Sequence, residues 1–148
     1  MLKIGDIAPD FNLVSENLSN ASFKGKKVIV FFYPKDNTPG CTAEACSLRD
    51  GYTELQARGF ELVGVSPDSE SSHKKFSEKF SFPFPLVADP EKKLIEAYGV
   101  WGEKKMYGKP YFGVFRTTFI LDENGILLHV ITDVKTKNHA EQLLNLGI

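Results

Sequence analysis

An α/β fold built on a central mixed sheet is predicted by three observations. Val28-Ile-Val-Phe-Phe-Tyr33 and Phe60-Glu-Leu-Val-Gly-Val-Ser66 are short apolar runs rich in β-branched and aromatic residues, as expected of strands buried on both faces. A helix-length segment separates them, closed by Gly59. Farther on, Thr117–Leu121 and Ile126–Asp133 flank Asp122-Glu-Asn-Gly125, the pattern of a β-hairpin.

The remaining elements follow in chain order. Phe11–Val14 and Ala21–Phe23 are expected to be short strands around a Glu-Asn turn, an N-terminal β extension of the sheet. The first helix is expected over Pro39–Arg58, with Thr38 as N-cap and Pro39 at N1, where a missing N–H costs nothing. Ser66-Pro-Asp68 leads into a second helix, capped by Asp68 or Ser69 and ending near Phe80. Pro85–Ala88 is a short strand. Asp89-Pro90 then reads as N-cap and N1 of a helix that stops at Gly99. Residues 101–113 carry several aromatics and read as a long loop, which borders an entrance or covers the sheet. A last helix is expected over Asn138–Leu146. The order βαβα-βα-ββα matches a thioredoxin-like architecture in one domain spanning 1–148.

Composition narrows the function. The 148 residues are enough to bury a sizeable core without disulfide staples. A net charge of −1 leaves no clustered basic excess for nucleic acid or anionic lipid. Lys24, Lys26-Lys27 and Lys104-Lys105 read as solvated loop charges. No apolar run approaches the ~20 residues needed to cross a bilayer. With two cysteines and no apolar signal core at the N-terminus, a soluble protein of the reducing cytoplasm is expected.

The chemistry concentrates in Pro34-Lys-Asp-Asn-Thr38-Pro39-Gly40-Cys41-Thr-Ala-Glu44-Ala-Cys46. Cys41 falls at N3, in the first turn of a helix, where the positive end of the helix dipole favours a thiolate, the reactive form of the side chain. Cys41, Ala45, Leu48, Tyr52 and Leu55 recur at helical spacing and make one apolar stripe. That stripe turns Cys41 inward, and Cys46 lies about 140° around the helix, at roughly 100° per residue. Two Cα atoms five residues apart in a helix are roughly 8–9 Å apart, given the ~1.5 Å rise and ~2.3 Å radius. A disulfide needs about 4.4–6.8 Å. Any Cys41–Cys46 bond therefore requires the head of the helix to unwind, and Gly51 weakens that helix by roughly 1 kcal/mol relative to Ala.

A metal site is a poor alternative. The C-x₄-C spacing is long for a zinc knuckle, no other cysteine is present, and His73, His129 and His139 show no paired ligand spacing. Each histidine reads as a surface residue or a strand filler. Two readings on related chemistry remain open. A thiol–disulfide oxidoreductase would use C-x-x-C, two positions shorter than the spacing here. A stoichiometric redox-sensing or interaction protein would have no need of a full set of polar residues around Cys41.

Pro34 to Cys46, together with Gly113-Val-Phe-Arg116-Thr-Thr-Phe119-Ile-Leu-Asp122, resembles the peroxiredoxins, and within them the Q type, also called bacterioferritin-comigratory protein or thiol peroxidase. The likeness runs from Ile4-Gly-Asp-Ile-Ala-Pro-Asp-Phe11 to Asp133-Val-Lys-Thr-Lys-Asn-His-Ala-Glu141. The resemblance implies that Cys41 is the peroxidatic nucleophile and Cys46 the resolving cysteine. It implies that Thr38 hydrogen-bonds the peroxide, that Pro34 shields the sulfur from water and that Arg116 holds both sulfur and peroxide. Glu44 matches a position where the family often carries a glutamate that orients the arginine. Ala43 and Leu48 depart mildly from the family pattern. The implied substrates are hydrogen peroxide and organic hydroperoxides, and the implied reductant is thioredoxin, or glutaredoxin. No cofactor or metal is implied, and the type suggests a monomer.

Overall fold

The computed structural model describes residues 2–147. Its centre is a five-stranded mixed sheet in the order β3-β2-β1-β6-β7. These strands are β1 (Lys27–Phe32), β2 (Phe60–Ser66), β3 (Leu86–Ala88), β6 (Thr117–Leu121) and β7 (Leu127–Ile131). β1 runs parallel to β2, and β2 parallel to β3. β6 is antiparallel to β1 and β7. The fold class and the expected central strands are those the sequence predicts.

β1 shows why the apolar run is continuous rather than alternating. Val28, Val30 and Phe32 enter one core with Val63, Val65, Phe119, Tyr98 and α4 (Lys93–Ala97). Ile29, Phe31 and Tyr33 enter the opposite core. That second core is closed by α1 (Pro39–Asp50), α2 (Tyr52–Ala57), α3 (Glu70–Phe80) and α5 (His139–Leu144). Side chains of a strand alternate between faces, so a strand covered on both sides must be apolar at every position.

Several boundaries differ from expectation, each for a local reason. The N-terminal segments are 3-10 turns, Phe11–Leu13 and Asn20–Phe23, rather than strands. The Asp10 carboxylate accepts from Asn12 N at 3.0 Å and Asn20 N at 2.9 Å, which ties both turns together and diverts their amides from a ladder. They meet the sheet through the bridge of Ile7 to Ile126 just before them and through Phe11 and Phe23, which pack into its core. The helix expected over 39–58 is divided at Gly51, although Leu55 N still bonds Gly51 O at 3.0 Å. It closes as expected at Gly59, whose φ is +88°. The helix expected from Pro90 starts at Lys93, because Lys92 takes φ +62° and Asp89 caps from farther back, accepting from Lys93 N and Ile95 N.

The largest correction concerns 101–113. It is a hairpin, β4 (Trp101–Met106) and β5 (Lys109–Val114), turning at Tyr107-Gly108 with φ +52° and +77°. Two left-handed residues give the turn whose twist matches that of paired strands. Most of its side chains are exposed, so the alternating apolar pattern that marks a half-buried strand is missing from the sequence. Trp101 packs against the core beneath and carries the Lys92 ammonium 4.9 Å above its ring. The final helix is shorter than expected, preceded by a 3-10 turn over Thr136–Asn138. Among the described residues no helix is long and apolar enough to cross a membrane.

Candidate active site

The parallel pair β1–β2 delivers the chain at the carboxyl end of β1 into the loop of Pro34 to Thr38, and α1 starts from it. Pro34 is half-buried in this loop. Thr38 has the extended backbone of an N-cap, φ −92° and ψ 156°, and its carbonyl accepts from Thr42 N at 2.8 Å. Its side chain does not cap the helix. The hydroxyl donates instead to Lys35 O at 2.8 Å, which leaves the lone pairs of Oγ1 free to accept.

Cys41 is buried with 2% exposure, and the apolar stripe continues through Ala45, Leu48 and Leu55 as the helical spacing predicts. The amides of Gly40 and Cys41 belong to the first turn, which a helix leaves without intrahelical acceptors. Arg116 enters from the segment between β5 and β6, 75 residues away in sequence. Its Nη2 donates to Cys41 Sγ at 3.3 Å and its Nη1 to Glu44 Oε1 at 2.7 Å. One guanidinium thus touches a sulfur and a carboxylate one turn apart on α1. The sulfur and the carboxylate keep Arg116 firmly cationic despite the burial that opposes its charge.

Glu44 is fully buried. Loss of solvent pushes its carboxyl up to about 7, against the opposing pull of Arg116. Its second oxygen, Oε2, has no hydrogen-bond partner among the described residues. His139 Nε2 stands 3.7 Å from that oxygen.

Cys46 is half-buried at the edge of the same core rather than wholly on the outer side. Burial pushes its thiol up, with the Arg49 charge opposing. Both cysteines are free thiols, five residues apart on an intact helix. The structure therefore gathers Cys41, Arg116 and Glu44 into direct contact, sets Thr38 and Pro34 on the adjoining loop, and leaves Cys46 apart.

Two histidines are misjudged from the sequence. His73 and His139 are both buried, and only His129 on β7 is the strand filler expected. His73 belongs to a network that holds the loop before Cys41. The Asp36 carboxylate accepts from Tyr33 OH at 2.6 Å and Ser72 Oγ at 2.8 Å, and lies 2.7 Å from His73 Nδ1. Asp36 N donates to Asp68 Oδ2 at 2.8 Å, and His73 Nε2 meets Val87 O at 3.1 Å. Burial would raise the Asp36 carboxyl, but the hydrogen bonds from His73 and Tyr33 outweigh it and hold it low. Nothing in the spacing of residues 33, 36 and 73 signals this cluster, because it is assembled by packing of α3 against the loop.

The chain is similar to known proteins along nearly its whole length. The AhpC/TSA family profile matches residues 4–130. The chain is 44% identical over 147 residues to the peroxiredoxin Bcp of Escherichia coli K12, covering 97% of this chain and 94% of that one. It is 44% identical over 146 residues to the peroxiredoxin Bcp of Bacillus subtilis 168, covering 97% and 93%. Among solved structures it is similar to a peroxiredoxin Q mutant of Xylella fastidiosa, with a TM-score of 0.87, 30% identity and coverage of 98% and 94%. It is also similar to the bacterioferritin comigratory protein of Xanthomonas campestris, studied for alkyl peroxide reduction, with a TM-score of 0.78, 39% identity and coverage of 84% and 80%. With the cysteine, arginine and glutamate meeting at the head of α1, the chain belongs to the AhpC/TSA family, in the Bcp or Q branch of the peroxiredoxins.

Proposed function

We propose that this peroxiredoxin reduces hydrogen peroxide and organic hydroperoxides through Cys41, with Cys46 as the resolving cysteine and thioredoxin, or glutaredoxin, as the final reductant. The observation that carries the reading is the bridge made by Arg116 between Cys41 Sγ and Glu44.

In the first step the Cys41 thiolate attacks the terminal peroxide oxygen. The S–O bond forms as the O–O bond breaks, the sulfur is oxidised to a sulfenic acid, and the departing hydroxide or alkoxide takes a proton from solvent. Ionisation of the sulfur is a small part of the rate. A thiol of pKa ~8.5 is about 3% ionised near pH ~7, so complete ionisation gains at most ~30-fold, or roughly 2 kcal/mol. Some of this is lost because a less basic thiolate is a weaker nucleophile. Stabilising the charge that moves onto the leaving oxygen has to supply the rest. Arg116 and the Cys41 amide are the donors for that oxygen. Thr38 plays a different part, because its hydroxyl proton is already given to Lys35 O. Its oxygen accepts from the peroxide O–H and so aims the peroxide, while Pro34 covers the sulfur.

In the second step Cys46 attacks the sulfenic sulfur, the S–S bond forms and water leaves. α1 must open between the two cysteines first, since five helical residues hold them too far apart. The raised thiol of Cys46 fits this order, because it becomes a better nucleophile only on leaving its half-buried place. An external dithiol then reduces the disulfide. A cytoplasmic monomer of one domain, needing no metal or cofactor, completes the proposal.

Two measurements test it. Peroxide consumption in the presence of thioredoxin and its reductase is expected to show many turnovers per protein. Peroxide-treated protein is expected to lose about 2 Da, mapped to a Cys41–Cys46 bond. Unchanged mass and no turnover would overturn the reading.

A further inference from the structure

His139 opens α5 beneath the site, fully buried, and the reaction described so far does not use it. Its hydrogen bonds assign its protons. Gln142 Nε2 donates to Asp133 O at 2.8 Å, so Gln142 Oε1 is the oxygen that receives Lys135 N at 3.0 Å and faces His139 Nδ1 at 2.9 Å. Nδ1 therefore carries the ring proton, and Nε2 of the neutral ring is an acceptor. Thr118 Oγ1 lies 2.8 Å from Nε2 and donates to it. Burial, with the nearby Arg116 charge, lowers the imidazole to about 4, so the ring is neutral at physiological pH.

This leaves an anomaly beside it. Oε2 of Glu44 is fully buried and, among the described residues, unpartnered, and His139 Nε2, 3.7 Å away, bears no proton to give it. A buried carboxylate oxygen facing an acceptor is costly. A carboxyl whose proton sits on Oε2 has its natural acceptor in Nε2 once the Thr118 hydroxyl turns aside. The two arrangements hold Arg116 differently. With Glu44 ionised, Nη1 makes an ion pair to Oε1; with Glu44 protonated, the same contact is a hydrogen bond to a neutral group.

We propose that His139 is a positioning residue of the peroxidase site, the acceptor for a proton on Glu44 Oε2 whose presence or absence sets how firmly Arg116 is held against Cys41. The inference rests on the peroxidase reading above. The charged and titratable groups facing this unit are Arg116 from the segment before β6, His139 from α5 and Cys41 on α1 itself. Lys104 from β4 bears on Arg116 and Cys41, while its own ammonium donates to Val114 O. Glu44 titrates near neutrality in this setting, so the rate of Cys41 oxidation carries an acid limb that belongs to Glu44.

The test is the pH dependence of the single-turnover reaction of reduced protein with hydrogen peroxide, with ultraviolet thiolate absorbance recorded alongside to isolate the ionisation of sulfur. The wild-type rate is expected to fall roughly tenfold across the Glu44 limb, the worth of a charged partner exchanged for a neutral one. Thr118→Val frees Nε2 for the Glu44 proton and moves the limb to higher pH. His139→Leu removes the acceptor and moves it to lower pH, each by about half a pH unit or more. Glu44→Gln abolishes it. If His139→Leu fails to melt cooperatively, Thr118→Val, which keeps the side-chain shape, decides alone. A limb unmoved by Thr118→Val, or a His139→Leu loss that is equal at every pH, overturns the proposal and marks His139 as structural. A wild-type protein that does not react with peroxide removes the reading beneath it, a result distinct from a reacting protein with an immobile limb.

Discussion

A β-carbon at Gly40 would lie 3.2 Å from Nη2 of Arg116, the nitrogen that donates to the Cys41 sulfur. The guanidinium lies closer to residue 40 than a β-carbon there would leave undisturbed. Gly40→Ala is expected to displace Arg116 by a few tenths of an ångström and slow peroxide reduction roughly tenfold, since small misplacements at a reacting centre are costly. The melting temperature should hold or rise, because alanine is the better helix former. Stopped-flow oxidation with a parallel thermal melt checks this, and an unchanged rate would show that the close approach has no role.

Arg116→Ala is expected to raise the peroxide barrier by about 3–4 kcal/mol, the cost of losing a donor to developing negative charge. The fold should survive, because Glu44, already pushed up to about 7 with Arg116 beside it, then keeps its proton and remains as a neutral buried carboxyl. Rate constants and far-ultraviolet circular dichroism measure the two parts. Wild-type kinetics in this variant would remove Arg116 from the mechanism.

Cys46→Ser should complete one peroxide turnover, stop at the Cys41 sulfenic acid, and fail to cycle with thioredoxin. Trapping with a sulfenic-acid reagent and mass spectrometry reads the first outcome, and NADPH consumption in the coupled assay the second. Sustained cycling would mean that another thiol, or an external one, resolves the intermediate.

At Gly51 two effects compete. Replacing glycine by alanine in a helix gains up to ~1 kcal/mol. The added Cβ would come within 2.5 Å of Ala140 Cβ on α5, a contact that forces the helices apart. Overpacking costs typically ~1–3 kcal/mol, so Gly51→Ala is expected to destabilise in spite of its propensity. Denaturant unfolding decides the sign, and a net gain in stability would show that α5 yields freely.

Glu44 and His139 pull the pH dependence of stability in opposite directions. Burial raises Glu44 from 4.5 to about 7. The folded protein thus keeps a proton that the unfolded chain releases, a contribution complete below pH 4.5 and lost as pH rises through 7. Burial lowers His139 from 6.5 to about 4, so its contribution is present above 6.5 and lost as pH falls through 4. On acidification from pH ~7 to ~5, Glu44→Gln should lose stability more steeply than wild type and His139→Gln less steeply, each by on the order of 1–3 kcal/mol. Parallel curves for all three proteins would refute the opposition.

Elements whose signals are local are legible from the chain alone. β1 and β2 are legible because burial on both faces demands uninterrupted apolar residues, and the head of α1 because Thr38-Pro39 starts a helix with Cys41 at a known turn. The identities of Cys41, Arg116 and Glu44 as partners also came through, by likeness of motif. The β4–β5 hairpin did not, since its side chains are mostly exposed and its turn depends on left-handed conformations at Tyr107 and Gly108 that composition does not announce. Packing settles that Thr38 gives its proton to Lys35 O, that Asp36 and His73 anchor the loop, and that His139 stands against Glu44. These are matters of a few tenths of an ångström between residues up to 95 apart in the chain. Hydrogen-bond direction and buried charge depend on which atoms packing brings together, and no spacing within one segment encodes that.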